Sequence, residues 1–253
     1  HLYGGDKENR LKQELLLGIG GIRALEKLGI SPHLYHSNEG HSAFIGIERL
    51  RKYIMNNKLT FAEAKEIIRS STLFTTHTPV PAGHDSFNED LLRTYIPHYP
   101  ARLKITWDQF MDLGKAHSND EGENFNMSYL AANLSQEVNG VSKLHGKVTR
   151  EIFGNLWNGY LPEELPIGHV TNGVHFFTWT AKEWRDLYMK TFGKEFLEDQ
   201  NNKKYWEKIY SVPDEEIWRI KQGLRKKFIS QLKDRFKENW IKRHEDPKYI
   251  VEV

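Results

Sequence analysis

Three short apolar runs, each emptying into a polar segment, constrain this chain more than any other feature. Residues 32–36 lead into Ser37-Asn38-Glu39-Gly40-His41. Residues 71–74 lead into Thr75-Thr76-His77-Thr78-Pro79-Val80-Pro81-Ala82-Gly83-His84-Asp85. Residues 167–170 lead into Val170-Thr171-Asn172-Gly173-Val174-His175. Short apolar runs of this length read as buried strands. Open α/β sheets collect ligands at the carboxyl ends of their strands, so the three segments are expected to converge on one crevice. The spacing predicts an α/β chain that builds one wall of a polar small-molecule site.

Helical periodicity fills the intervals. Residues 10–28 keep apolar positions 11, 15, 16, 19, 22 and 25 on one face, and Gly29 stops the run. Gly18-Ile19-Gly20-Gly21 lies inside that helix rather than between strand and helix, so it reads as close helix packing and not as a dinucleotide loop. Residues 39–55 and 60–70 form two more helices, the second opened by Thr60 and Glu63 at capping-box spacing. Residues 124–134 and 141–153 make a further pair. Residues 214–242 read as one long helix behind Pro213 and three acids, and its basic residues read as a solvated face. The opening at His1-Leu2-Tyr3 and the closing strand-like Tyr249-Ile250-Val251-Glu252-Val253 predict a piece of a longer polypeptide.

Composition narrows the function classes. With 253 residues, 38% of them hydrophobic, the chain can bury a substantial core. Its 36 basic and 34 acidic residues leave a net charge of +2, which gives no signature for nucleic acid or a membrane surface. No apolar run approaches the roughly 20 residues that span a bilayer. The absence of cysteine excludes disulfides and thiolate metal sites and agrees with a cytoplasmic setting.

Several residues carry candidate chemistry. His77 follows a strand directly, and the prolines beyond it stiffen a loop from which an imidazole can hydrogen-bond a hydroxyl. In His84-Asp85 the acid can fix the imidazole tautomer or bind sugar hydroxyls. Asn38 can cap the helix behind it and Glu39 can complement its dipole, and both can equally face a ligand. His36, Glu39, His41, His77 and Asp85 are metal ligands by type, but their spacing matches no helical ligand pattern, so no metal is expected. Asn139-Gly140 and Asn172-Gly173 read as turns, and His145 reads as a satisfied buried histidine.

Taken together these segments resemble the α-glucan (glycogen, starch, maltodextrin) phosphorylases. The resemblance rests on Leu2-Tyr3-Gly4-Gly5-Asp6, Arg10-Leu11-Lys12-Gln13-Glu14, Asn38-Glu39-Gly40-His41 and Thr76-His77-Thr78-Pro79. Asn126-Met127-Ser128, Val138-Asn139-Gly140-Val141-Ser142-Lys143-Leu144-His145 and Thr171-Asn172-Gly173-Val174 continue it in the same order. The Gly-Gly-Asp and Pro-Val-Pro-Ala-Gly-His-Asp variants resemble the shorter bacterial and archaeal branch.

The resemblance implies a two-domain glycosyltransferase of the GT-B type, with residues 1–253 forming the later part of its helix-rich, Rossmann-like N-terminal half and residues 214–253 leading toward a C-terminal half. It implies phosphorolysis of terminal α-1,4-linked glucose to glucose 1-phosphate, with inorganic phosphate and an α-1,4-glucan as partners and a homo-oligomer as an expected state. Pyridoxal 5'-phosphate is the implied cofactor, held by a lysine that no motif here matches, so this chain alone is expected to be inactive. By position, His77 matches the histidine that bonds the glucose 6-hydroxyl, and Asn172 and Val141 match its neighbours. Asp6 matches the acid of a gate loop, although the loop here is shorter than in the animal enzymes. Glu39, His41 and Asp85 match residues of the acceptor path, and Asn38 and His84 join them in the substrate-binding set. The alternatives are a nucleotide-sugar-dependent glycan synthase of the same fold, a glucan-binding or purely structural remnant without activity, and a metal hydrolase.

Overall fold

The computed structural model describes residues 5–79, 83–116 and 123–243. The chain divides into two compact units, with the division between Asn172 and Gly173.

The first unit is built on β1 (Tyr35–Asn38), β2 (Thr72–Thr75), β3 (Ser86–Phe87), β4 (Phe125–Asn126), β5 (Glu137–Gly140) and β6 (Ile167–His169). Its helices are α1 (Lys7–Leu15), α2 (Gly21–Lys27), α3 (Phe44–Asn57), α4 (Phe61–Ser70), α5 (Glu89–Tyr95), α6 (Tyr99–Leu103), α7 (Trp107–Asp112), α8 (Met127–Asn133) and α9 (Lys143–Phe153). β1, β2, β5 and β6 form one sheet in that order, every pair parallel, while β3 and β4 form a separate antiparallel pair. Parallel neighbours require crossovers, which α3 and α4 supply between β1 and β2, and α9 between β5 and β6. All four carboxyl ends therefore open on one edge.

The core explains why these residues fold this way. Phe44, Ile47 and Leu50 of α3, Ile68 of α4 and Phe153 of α9 bury with Phe74, Val138 and Ile167 of the sheet. Phe125 of β4 lies between Phe44 and Phe110, with ring centroids 6.3 and 5.6 Å away, which ties the β3–β4 pair to the same core. α4 begins with the expected capping box: Glu63 N–H donates to Thr60 Oγ1 at 3.3 Å, and Thr60 N–H donates to Glu63 Oε2 at 2.9 Å.

Tertiary packing revises several boundaries. The helix expected over 10–28 starts earlier, capped by Asp6, and is interrupted by a π-helical turn, Leu16–Gly20. A Cβ on Gly18 would lie 2.6 Å from Phe44 Cβ and 2.8 Å from the Ile45 nitrogen, so the glycine does serve close helix packing. The helix expected over 39–55 begins as a 3-10 turn, Gly40–Ser42, and Asn38 is the last residue of β1 rather than a cap. Asn139-Gly140 is not a turn either, because it closes β5. Asn172-Gly173 is irregular backbone. The strand expected over 249–253, Leu2-Tyr3-Gly4 and Val80-Pro81-Ala82 lie outside the described residues.

The second unit, described from Gly173 to Arg243, holds α10 (Phe176–Trp179), α11 (Lys182–Phe192), α12 (Lys203–Glu207) and α13 (Asp214–Lys242). Phe176, Phe192 and Phe196 form its small core with Tyr188 and Tyr205. The long helix α13 has the expected bounds, yet no residue of it is buried within the described chain.

Candidate functional site

The sheet's carboxyl edge brings the first two polar segments together residue by residue. After β1 the chain turns sharply at Glu39, which adopts φ 64° and ψ 171°. A non-glycine residue there is strained, and such strain persists where the surroundings hold a side chain in a required place. Glu39 Oε1 accepts the backbone N–H of His77 at 2.5 Å, and His77 Nε2 donates to Asn38 Oδ1 at 2.7 Å. The β1 and β2 segments are thereby cross-linked, leaving the His77 ring exposed. One layer below, His36 Nε2 donates to Thr75 Oγ1 at 2.7 Å and Thr75 donates to Asn139 Oδ1 at 3.1 Å, a hydroxyl-mediated row across three strands.

The far end of the β2 segment is held as firmly. His84 Nδ1 lies 2.7 Å from Ser128 Oγ, and its ring meets Phe153 edge-on. The carbonyl of Asp85 accepts the Met127 N–H at 2.9 Å, and its carboxylate pairs with Arg10 of α1, which also reaches Glu14 at 3.2 Å. Two glycines allow this closeness. A Cβ on Gly40 would lie 2.8 Å from Ser128 N, and one on Gly140 would lie 2.7 Å from His145 Nδ1.

At β5 and β6 the arrangement is mainly backbone. Val141 donates its N–H to His145 Nδ1 at 3.2 Å and accepts the Asn172 N–H at 3.1 Å. Because His145 Nδ1 accepts, its proton is on Nε2, and that atom is buried with no partner among the described residues. The expectation of a fully satisfied His145 therefore fails at one nitrogen. Asn172 is exposed, and Asp6 caps α1 by accepting the Asn9 N–H at 2.8 Å while bordering a separate concavity of about 530 Å³.

The electrostatics follow from partial burial. Desolvation holds His41 and His84 below the ordinary histidine range, so both stay neutral at pH 7. Burial pushes Asp85 upward, but hydrogen bonds from Arg10 and Glu14 outweigh it and leave the carboxyl below its usual value. Burial, then the neighbouring Asp85, push Glu14 up to about 9.

The edge is left with unspent hydrogen-bonding capacity. Glu39 Oε2, Thr76 Oγ1, His84 Nε2 and His145 Nε2 are buried and meet no hydrogen-bond partner among the described residues. Folded proteins rarely leave such atoms unpaired except where something else completes them. An acceptor, a hydroxyl and two imidazoles together suit a neutral, hydroxyl-rich ligand. Among the described residues no group of three or more His, Asp or Glu could hold a metal ion.

The sequence profile of the carbohydrate phosphorylase family matches residues 30–246. The chain belongs to this family. It is 40% identical over 260 residues to a glycogen phosphorylase of Mycobacterium tuberculosis, covering 96% of this chain and 29% of that protein. It is 41% identical over 242 residues to a maltodextrin phosphorylase of Thermococcus litoralis, covering 94% of this chain and 28% of that protein. Against a glycogen phosphorylase of Aquifex aeolicus the identity is 34% over 251 residues, with 99% and 35% covered. The chain thus spans about a third or less of the length of these curated relatives.

Carbohydrate phosphorylases use pyridoxal phosphate. The residues gathered here do not fit that cofactor. Their buried atoms belong to carboxyls, a hydroxyl and imidazoles, no lysine is among them, and Arg10 is engaged by Glu14 and Asp85. Arg10, Glu14, Thr76 and Ser128 complete the constellation, and the sequence offered them only as parts of the family motifs, with no site role. Only the fold buries Glu14 and brings Arg10 against both it and Asp85.

Proposed function

We propose that this chain is part of an α-glucan phosphorylase that releases glucose 1-phosphate from the non-reducing end of an α-1,4-glucan. In this reading the chain is the later part of the Rossmann-like N-terminal half of a cytoplasmic GT-B enzyme, and its sheet edge is the sugar-facing wall. The observation that carries the reading is a buried set without hydrogen-bond partners among the described residues: Glu39 Oε2 and Thr76 Oγ1 directly after β1 and β2, His84 Nε2 at the far end of the β2 segment and His145 Nε2 in the first turn of α9. The relatedness to a glycogen phosphorylase and a maltodextrin phosphorylase supports glycogen or maltodextrin as the glucan.

The residues divide by role. His77 bonds the glucose 6-hydroxyl at the scissile position, with Val141 and Asn172 beside it and Asp6 on the gate. Asn38, Glu39, His41, His84 and Asp85 line the acceptor path. Glu39 and Asn38 hold His77 through its backbone and its Nε2, which orients the ring before substrate arrives. The neutral imidazoles of His41 and His84 can donate to or accept from sugar hydroxyls. Pyridoxal phosphate would be held by residues other than those gathered here and would supply acid–base chemistry through its phosphate group.

Steady-state kinetics on the enzyme containing this chain tests the assignment. A bond that strengthens as the glucose ring distorts contributes to turnover, whereas distant glucan contacts carry ground-state affinity. His77→Ala should therefore lower kcat by about 30- to 1000-fold, the equivalent of roughly 2 to 4 kcal/mol. Asp85→Ala should mainly raise the glucan KM. Intact turnover in His77→Ala combined with none in Asp85→Ala would refute the placement.

A further inference from the structure

Glu14 and Asp85 pose a problem that neither the family nor the proposed substrate addresses. Glu14 is a carboxyl with 1% of its side chain exposed. One oxygen accepts Arg10 Nη2 at 3.2 Å. The other, Oε2, is buried and meets no donor among the described residues. The same Arg10 nitrogen, Nη2, also engages the Asp85 carboxyl, which sets the two carboxyl groups side by side. Two ionised carboxylates cannot hydrogen-bond each other, and one guanidinium cannot neutralise both in a buried site. A single proton resolves both difficulties: it turns Glu14 Oε2 into a donor and makes the set Arg10, Asp85 and Glu14 neutral overall.

We propose that Glu14 is a positioning residue that keeps its proton in the native protein and donates it to Asp85, thereby pinning the β2 segment to α1. The pinned segment carries His77 and His84, and its last residue accepts the Met127 N–H that starts α8. The groups facing this proton are Arg10 and Glu14 from α1, Asp85 from the β2 segment and His41 from the turn after β1, which senses Arg10 and Asp85. His41 is neutral above its ordinary value of 6.5, so it adds no competing charge at pH 7 or higher. Burial and Asp85 push the Glu14 carboxyl from 4.5 to about 9, in agreement with the geometry.

The sign of the pH effect is fixed. A carboxyl whose native pKa is raised contributes stability that is complete below 4.5 and lost as pH rises to about 9. Over that window the folding equilibrium constant falls by up to about tenfold per pH unit from this group alone.

The test uses the chain labelled with carbon-13 at glutamate carboxyls. The Glu14 resonance, assigned by its loss in Glu14→Gln, should hold its protonated position at pH 7 and titrate toward pH 9. Between pH 7 and 9, urea unfolding should show the wild-type folding constant falling more steeply than that of Glu14→Gln, which keeps the donor and cannot ionise. Hydrogen exchange of the Met127 amide should stay slow in Glu14→Gln and accelerate at least tenfold in Glu14→Ala. A carboxyl that titrates near 4.5, equal pH slopes, or equal acceleration in both variants would overturn the proposal. If neither variant folds, the wild-type titration decides, with the assignment made by sequential backbone experiments.

Discussion

Gly40→Ala probes the contact on which the candidate site depends. The added Cβ would lie 2.8 Å from both the nitrogen and Oγ of Ser128 and 3.0 Å from the Met127 carbonyl carbon. Two of those three atoms are backbone, so no rotamer change relieves the clash. Either the turn after β1 retreats from α8 or the start of α8 moves, and Ser128 Oγ cannot keep its 2.7 Å bond to His84 in both cases. Overpacking of this kind costs about 1 to 3 kcal/mol, which at about 2 to 4 °C per kcal/mol predicts a melting point lower by roughly 2 to 12 °C. Gly21→Ala is the control. Nothing lies within 4 Å of its Cβ, and the residue is helical, so the substitution should be neutral or stabilise by about 0.5 to 1 kcal/mol. Thermal melts followed by circular dichroism measure the pair, and the imidazole resonances of His84 report the local change. A Gly40→Ala protein that melts with the wild type and leaves His84 unshifted would refute the close-approach argument.

Other expectations follow from the same contacts. Glu48 is fully buried and receives Arg23 Nε at 2.8 Å, Arg51 Nη2 at 2.8 Å and the Tyr99 hydroxyl at 2.6 Å. Glu48→Ala leaves these donors unpaired and should cost about 2 to 4 kcal/mol in urea unfolding, discounted because Arg23 is half exposed; a loss below about 1 kcal/mol would contradict the network. Burial lowers the His41 and His84 values in the fold, so their contribution is complete above 6.5 and lost as pH falls below it. Melting points should therefore drop from pH 7 toward pH 5, and less so in His84→Asn, where an unchanged profile would count against the buried neutral imidazole. On α13, Phe228 is 63% exposed, and Leu232 and Phe236 continue its stripe at spacings of four residues. Such a stripe promotes association, so Phe228→Lys with Leu232→Lys should shift sedimentation of this chain toward monomer, and a wild type that is monomeric at high concentration would contradict it.

The kinds of elements and much of the motif map are legible in the order of residues alone. Short apolar runs gave three of the four parallel strands, although β1 buries only Ser37 and β6 only Ile167. The Thr60 capping box and the full span of α13 were legible because their signals are local. The motifs in their order also pointed to the family. Tertiary structure decided what those local signals could not. Asn139-Gly140 has the chemistry of a turn, but pairing with β2 and β6 draws it into a strand. Glu39 sits where a helix start was expected, and the closing of the β1 turn on Ser128 gives it a strained backbone instead. Arg10, Glu14 and Asp85 lie in two distant stretches, and the charge of each depends on the others once burial removes the water. A proton's position, a buried atom's missing partner and a glycine's contact distance are properties of neighbours brought together by the fold, and no spacing along the chain encodes them.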